Sequence, residues 1–371
     1  MGRLTSVNVA YIGIALILSL GALIYTHRQW QASTDLARPL PSNSWAAAAE
    51  RHKNSDVFNK TLGFEKVFAI GLPDRSDKRD ALTLMSALTG FHVSWIDGVN
   101  GSNIPDKALP IGWDRQTLRD SNLGSWRGHI NAMQKIVQDR IGSALIIEDD
   151  MDWDANIQTQ LYHFAAASKK LQVGWKQDEP ATIGDSPYGQ DWDMLWVGMC
   201  GSTLDEDLPE WLQIPSEQKD ARKVIISDDP TVPPRNHIKG NMGFSWDIYP
   251  PQSRMVFIPG DNICSFAYAL SYSGAQKALQ YLGLEGQHKP FDNHLSDLCR
   301  LRANGMRCVS ITPSLFVHHK PKGNTNGDSD INGPGKGTIR EVGFTENILY
   351  STRLNLRNLI TGQELEKQWT D

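Results

Sequence analysis

From residue 66 onward, short apolar runs alternate with longer stretches in which apolar residues recur at helical spacing. Residues 67–70 predict a buried strand, residues 78–89 predict a helix, and residues 92–96 alternate like a second strand. The connection at 71–74 contains glycine and proline, which suit a tight turn. Strand, helix and strand in about thirty residues form a βαβ unit, so we expect a parallel sheet.

The same pattern predicts further helices and strands as far as residue 311. A helix over 122–140 carries Trp126, Ile130, Met133 and Val137 on one face. The remaining predicted elements are strands at 143–147, 193–199, 266–270 and 307–311, and helices at 155–172, from Ser273, and at 291–304. Together they predict an α/β fold with a Rossmann-type, mostly parallel sheet flanked by helices.

Acidic residues follow directly after the strand predicted at 143–147. Five carboxylates follow within residues 148–154, those of Glu148, Asp149, Asp150, Asp152 and Asp154. The carboxyl ends of strands are where open α/β sheets bind ligands, and crowded carboxylates require a counter-ion. Mg²⁺ or Mn²⁺ carrying a phosphate group suits these oxygen ligands. The alternative is a solvated turn in which Asp152 or Asp154 caps the next helix.

The N-terminus has a different character. Residues 4–26 carry no charge, and 9–25 are almost wholly apolar, which is enough to cross a bilayer as a helix. We interpret 1–26 as a cytoplasmic tip and transmembrane signal anchor, 27–60 as a stem and 61–371 as the globular domain. A cleaved signal peptide is the alternative. The anchor predicts a type II protein in a secretory-pathway membrane, Golgi or endoplasmic reticulum, with its domain in the lumen.

Two segments of the domain lack sustained periodicity. Residues 201–259 are rich in Pro, Asp and Gly and predict a loop-rich insert, and residues 320–340 predict a mobile loop. The net charge of −5 shows no footprint of nucleic-acid binding, so no nucleic acid is expected as a partner.

The four cysteines have no spacing typical of a zinc site. In an oxidising compartment one or two disulfides are expected, with three possible full pairings, and buried free thiols are the alternative. The cysteines are Cys200, Cys264, Cys299 and Cys308.

Several segments, in this order, resemble glycosyltransferase family 25, which includes bacterial lipooligosaccharide and animal collagen galactosyltransferases. The resemblance spans about residues 66–316 and is nearest to fungal, membrane-anchored members. It rests on Arg75 and Arg79 after the first strand and on residues 124–129, 145–150, 266–271 with 274–275, 289–292 and 312–315.

The resemblance implies a GT-A-like domain that transfers a hexose, with galactose favoured, from a UDP-sugar to a glycan or glycoprotein acceptor. It also implies Mn²⁺, or Mg²⁺, as the metal and inversion at the transferred carbon. Glu148, Asp150 and His318 are the expected metal ligands, and Asp292 is the expected catalytic base, with Asp297 in reserve. The expected donor-binding residues are Arg75, Arg79, Asp97, His129 and Asp149.

The chain departs from the family pattern at two positions. Gly71 replaces the Asn usual at the end of the first strand, and Gly128 replaces the Ser before His129. Hydrogen bonds made by those side chains are therefore missing or replaced. Two alternatives stay open: a catalytically inactive, membrane-tethered glycan-binding protein, and a metal-dependent phosphodiesterase.

Overall fold

The computed structural model describes residues 56–173, 186–214, 222–285, 289–331 and 337–370. All of them belong to one compact unit, Leu40–Asp371. The predicted anchor at 1–26, and the predicted stem up to residue 55, lie outside the described residues. None of the helices in the described segments combines the length and the apolar character that crossing a bilayer requires.

The described residues form an α/β fold, as the hydrophobic pattern predicts. Its helices are α1 Ser76–Leu88, α2 Asp120–Gln138, α3 Ile157–Val173, α4 Tyr272–Gly283, α5 Phe291–Arg300 and α6 Leu356–Thr361. Its strands are β1 Lys66–Gly71, β2 Ser94–Asp97, β3 Ser143–Glu148, β4 Met151–Trp153, β5 Met194–Gly198, β6 Gly201–Leu204, β7 Lys223–Ile226, β8 Arg254–Phe257, β9 Pro259–Ile263, β10 Ala267–Ser271, β11 Cys308–Thr312, β12 Phe316–His318, β13 Gly323–Asn324 and β14 Ile339–Arg340.

Eight strands form the central sheet in the order β2-β1-β3-β10-β5-β11-β8-β7. The pairs β1/β2, β1/β3 and β5/β11 are parallel, whereas β10 and β8 run against both of their neighbours. The sheet is therefore mixed, with six of its eight strands pointing the same way. The segment 201–259, predicted as a loop-rich insert, also contains β6 to β8, and β7 and β8 extend the sheet.

Helices cover both faces of the sheet because the side chains of each strand alternate in direction. In β3, Leu145 and Ile147 pack against α1 and α3, whereas Ala144 and Ile146 pack against α2, α4 and α5. Helix α5 ends at Arg300 rather than at the predicted residue 304, because Arg302 and Asn304 adopt left-handed backbone conformations, with φ of 48° and 55°. The helices on the two faces hold the sheet in place, and the candidate site lies at the ends of its strands.

The chain turns at the acidic end of β3, over residues 149–150. Strand β3 ends at Glu148, and β4 then pairs antiparallel with β12, so that His318 lies opposite Met151. The His319 amide donates to the Asp150 carbonyl at 3.0 Å. This pairing brings a histidine from the C-terminal part of the chain to the acidic turn.

The cysteine pairing that the sequence left open is resolved. Cys200 is bonded to Cys264, and Cys299 to Cys308. The first disulfide joins residues 64 positions apart, and the second closes a short segment with a separation of 9.

Candidate active site

A cleft of about 710 Å³ opens at the carboxyl ends of the parallel strands β1 and β3. This is where open α/β sheets generally bind ligands. Six of the candidate residues from the sequence line the cleft: His129, Glu148, Asp149, Asp150, Asp292 and His318. Strand pairing and helix packing thus bring together residues that are up to 189 positions apart, as His129 and His318 are.

A buried lysine lies at the centre of the acidic cluster. Lys78 Nζ donates to Asp149 Oδ1 at 3.1 Å, to Asp150 Oδ2 at 3.1 Å and to Asp330 Oδ2 at 2.6 Å. Lys78 is 8% exposed, so its charge is satisfied by these carboxylates rather than by bulk water. Sequence reasoning missed Lys78. No local sequence signal points to it, because its carboxylate partners lie 71 or more positions away in the chain.

The cluster shifts the pKa values of Lys78, Asp149 and Asp150. Burial lowers the pKa of Lys78, but the carboxylates of Asp150, Asp149 and Asp330 outweigh this effect and raise it overall. Burial and the neighbouring Asp150 carboxylate raise the pKa of Asp149 to about 7, against the opposing charge of Lys78. Burial also opposes ionisation of Asp150, yet His318 and Lys78 hold its pKa below the usual value. Asp150 is therefore the firmly ionised carboxylate of the acidic turn.

Asp150 and His318 offer a pair of groups that fit a divalent metal. His318 Nε2 lies 3.5 Å from Asp150 Oδ2, and both residues line the cleft. No group of three or more His, Cys, Asp or Glu side chains in the described segments is arranged to hold a metal. Mg²⁺ sites in phosphate-transferring enzymes commonly use one or two carboxylates and take their other ligands from water and substrate phosphates. The pair fits that kind of metal-diphosphate site.

Glu148 faces a different set of partners. Its Oε1 accepts from Ser265 Oγ at 2.6 Å and lies 3.4 Å from His129 Nε2. His129 Nδ1 lies 2.9 Å from the Tyr268 hydroxyl, and its ring stacks on Phe291 with centroids 4.1 Å apart. Glu148 therefore lines the cleft without contacting the Lys78 cluster, and its expected role as a metal ligand stays a prediction.

Asp292 lies in the first turn of α5 and lines the cleft, where its Oδ2 accepts from the Cys264 amide at 3.1 Å. This hydrogen bond ties the carboxylate to the disulfide-bonded Cys264. Asp297, the reserve candidate, instead forms ion pairs with Lys289 and Arg300 and is 7% exposed. Of the two, Asp292 has the position from which a cleft ligand can be reached.

Three of the expected donor-binding residues lie outside the cleft lining. Arg79 Nη2 donates to the Gly71 carbonyl at 2.8 Å and to Asp97 Oδ1 at 2.5 Å, and its guanidinium lies 4.6 Å from the centre of the Trp95 ring. These contacts brace the end of β1 against β2. Arg75 contacts the cleft through Asp330, one of the residues that line it.

The segment 320–340, predicted as a mobile loop, contributes to the cleft wall. Its β13 and β14 pair with each other, and Asp328, Ser329, Asp330 and Ile331 line the cleft. His319, in contrast, faces inward, with its Nδ1 2.9 Å from Thr345 Oγ1. Burial, and next the charge of Arg353, lower the pKa of His319 to about 3.

The two acidic residues weighed as caps have structural roles. Asp154 Oδ1 accepts from the Asn156 amide just before α3, and Asp154 Oδ2 accepts from the Tyr350 amide, each at 2.9 Å. Asp152 accepts from Thr345 Oγ1 at 2.6 Å. Both carboxylates anchor the C-terminal segment rather than the cleft.

No protein-family model matches the chain. It is 25% identical over 127 residues to procollagen galactosyltransferase 1 of Danio rerio, which covers 31% of this chain and 21% of the relative. It is 22% identical over 127 residues to procollagen galactosyltransferase 2 of Mus musculus, with 31% and 20% covered. The chain therefore matches about a fifth of the length of these relatives. The similarity is distant and is confined to this part of the two galactosyltransferases.

Proposed function

We propose that this protein transfers a hexose from a UDP-sugar to a hydroxyl group of a glycan or glycoprotein acceptor, with Mn²⁺ or Mg²⁺ as cofactor. The hexose that we propose is galactose. The observation that carries the proposal is the meeting of Asp150, His318 and Asp292 in one cleft at the carboxyl ends of β1 and β3. The distant similarity to galactosyltransferases supports the same reaction class.

Asp150 and His318 would hold the metal together with the diphosphate of the donor. When bound, the metal would stabilise the negative charge that develops on the departing diphosphate. To serve as a ligand, His318 Nε2 must give up its proton and the hydrogen bond it now donates to the Asp328 carbonyl at 3.0 Å. The pKa of Asp150 is already lowered, because His318 and Lys78 outweigh the effect of burial, but its Oδ2 would have to exchange the hydrogen bond it accepts from Lys78 for the metal.

Asp292 would take the proton of the acceptor hydroxyl as that oxygen attacks the sugar. A single attack on the face opposite the leaving group inverts the sugar carbon and requires one base beside the acceptor. The Cys264 amide holds the Asp292 carboxylate in the cleft wall, which limits its rotation before the acceptor arrives.

The lumen of the secretory pathway, in the Golgi or the endoplasmic reticulum, is the proposed location. Both pairs of described cysteines are disulfide-bonded, and such bonds persist in oxidising compartments. We place the membrane attachment in the apolar segment 9–25.

The test uses the full-length chain in detergent with UDP-galactose, UDP-glucose and a panel of glycan acceptors, in Mn²⁺ or in EDTA. We expect release of UDP and a galactosylated product in Mn²⁺, and loss of both in EDTA. Asp150→Asn should abolish product formation, whereas Asp74→Asn, which removes an exposed carboxylate from the cleft rim, should retain it. Hydrolysis of phosphodiesters without sugar transfer, or glycan binding without any turnover, would overturn the proposal.

A further inference from the structure

The Asp330 carboxylate is bound by two cationic side chains at the cleft. Lys78 Nζ donates to Asp330 Oδ2 at 2.6 Å, and Arg75 Nη1 donates to the same oxygen at 2.6 Å. Asp330 comes from a segment 252 positions away from Lys78 in the chain and lines the cleft wall. Lys78 thus has one carboxylate partner that does not belong to the acidic turn after β3.

The segment that carries Asp330 also makes polar contacts to α2 and to His318. We call residues 328–331 the acidic strap. Ser121 Oγ donates to the Ile331 carbonyl at 2.7 Å, and His318 Nε2 donates to the Asp328 carbonyl at 3.0 Å. The Asp328 carboxylate pairs with Arg340, which belongs to the same hairpin region rather than to the sheet. Polar contacts at the cleft thus join the strap to α1, to α2 and to His318.

We infer that Lys78 and Arg75 form a phosphate-binding subsite, and that Asp330 occupies it in place of the diphosphate of a nucleotide ligand. The inference rests on the proposed function for the identity of that ligand. Both cations are of the kind that bind phosphate: Arg through its planar fork of donors, and Lys as a mobile point charge. Among the described residues, Asp330 is the carboxylate that both cations contact, and it lies on the strap rather than in β3 or α1.

The contacts of His318 support the same exchange. The strap contacts His318 Nε2 through the Asp328 carbonyl and Lys78 Nζ through the Asp330 carboxylate. A nucleoside diphosphate with its metal would bind both His318 Nε2 and Lys78 Nζ. Its binding would therefore release the strap at two points. The strap and the diphosphate therefore compete, and removing the Asp330 charge should favour the diphosphate.

Calorimetric binding of UDP and of inorganic pyrophosphate in EDTA tests this competition without catalysis and without metal. We expect Asp330→Asn to bind both anions about tenfold more tightly than the wild type, as for loss of one competing charge-assisted hydrogen bond worth about 1.4 kcal/mol. Asp74→Asn removes the same charge from the cleft rim without touching Lys78 or Arg75, and should change the affinity less than about twofold. Equal or weaker binding by Asp330→Asn, or no binding of either anion by any form, overturns the inference.

A second measurement uses the wild-type protein only. Hydrogen–deuterium exchange of a peptide covering residues 323–331 should become faster when UDP is added, because the strap loses its anchors. Unchanged or slower exchange overturns the inference. If UDP releases the strap but no sugar is transferred, the phosphate subsite stands and the proposed function fails. If sugar is transferred but Asp330→Asn leaves the UDP affinity unchanged, only the present inference fails.

Discussion

A Cβ atom placed on Gly71 would lie 2.4 Å from Oδ2 of Asp149. The end of β1 and the acidic turn after β3 are thus in direct contact, and glycine is the residue that leaves room for the Asp149 carboxylate. An Asn here, as in the family that the sequence resembles, would compete with Asp149 for the same space. The glycine at position 71 therefore suits the conformation of the acidic turn, in which the Asp149 carboxylate occupies the space that a Cβ would need.

Gly71→Ala should displace the Asp149 carboxylate from Lys78, with which it forms a buried ion pair at 3.1 Å. We expect a loss of about 1–3 kcal/mol in the free energy of unfolding from overpacking. We also expect at least about a tenfold loss in kcat/KM, since small misplacements in a site are costly. Urea unfolding and initial rates with UDP-galactose measure the two effects.

Gly128→Ser supplies the matched control, because it restores the other family residue in the same chain. A Cβ on Gly128 meets only Ile70 Cγ2, at 3.0 Å, and that side chain can shift. We expect kcat/KM to stay within about threefold of wild type, with any packing cost partly offset by removing a glycine from a helix interior. Equal losses in the two variants would show that the contact with Asp149 is not what requires glycine at 71.

Two isosteric substitutions test which carboxylates at the end of β3 bind the metal. Asp150→Asn should weaken Mn²⁺ binding in the presence of UDP by more than about tenfold, because it removes a ligand charge. Glu148→Gln should change it less than about threefold, because the Glu148 carboxylate contacts Ser265 and lies near His129 rather than Asp150. Electron paramagnetic resonance of free Mn²⁺ measures both affinities. Comparable weakening in Glu148→Gln would place Glu148 among the ligands, as the sequence predicts.

The local pattern was sufficient to predict β3, its acidic end and the face of α2 that carries Trp126 and Ile130, both of which are buried. Those features depend on residues close together in the chain. The direction of β10 was not predictable, because a short apolar run has the same pattern whether the strand is parallel or antiparallel to its neighbours. The Lys78–Asp330 pair, 252 positions apart, was equally out of reach because neither residue has a distinctive neighbour pattern. Sequence spacing also does not show that β3 ends at Glu148, and so it does not distinguish the contacts of Glu148 from those of Asp150.

The two disulfides should contribute differently to stability. In the chain-entropy view, a cross-link across 64 positions stabilises by about 4 kcal/mol and one across 9 positions by about 3 kcal/mol. We therefore expect Cys200→Ser/Cys264→Ser to lower the free energy of unfolding more than Cys299→Ser/Cys308→Ser. Urea denaturation of the two double variants measures this, and the opposite order would contradict it.

Asp292 and Asp297 lie on one helix, five positions apart, and have different surroundings. Substituting each in turn therefore tests which of them is the catalytic base. Asp292→Asn should lower kcat by about 10²–10⁴-fold, the usual contribution of a general base, while leaving the affinity for UDP within about twofold. Asp297→Asn should leave kcat within about threefold, but it should destabilise the protein because Lys289 and Arg300 lose their shared partner. Rates with UDP-galactose and acceptor, UDP titrations and urea unfolding give the three readings. A large loss of kcat in Asp297→Asn alone, with Asp292→Asn active, would move the base to the reserve position. A loss of UDP affinity in Asp292→Asn equal to its loss of kcat would make Asp292 a donor-binding residue instead.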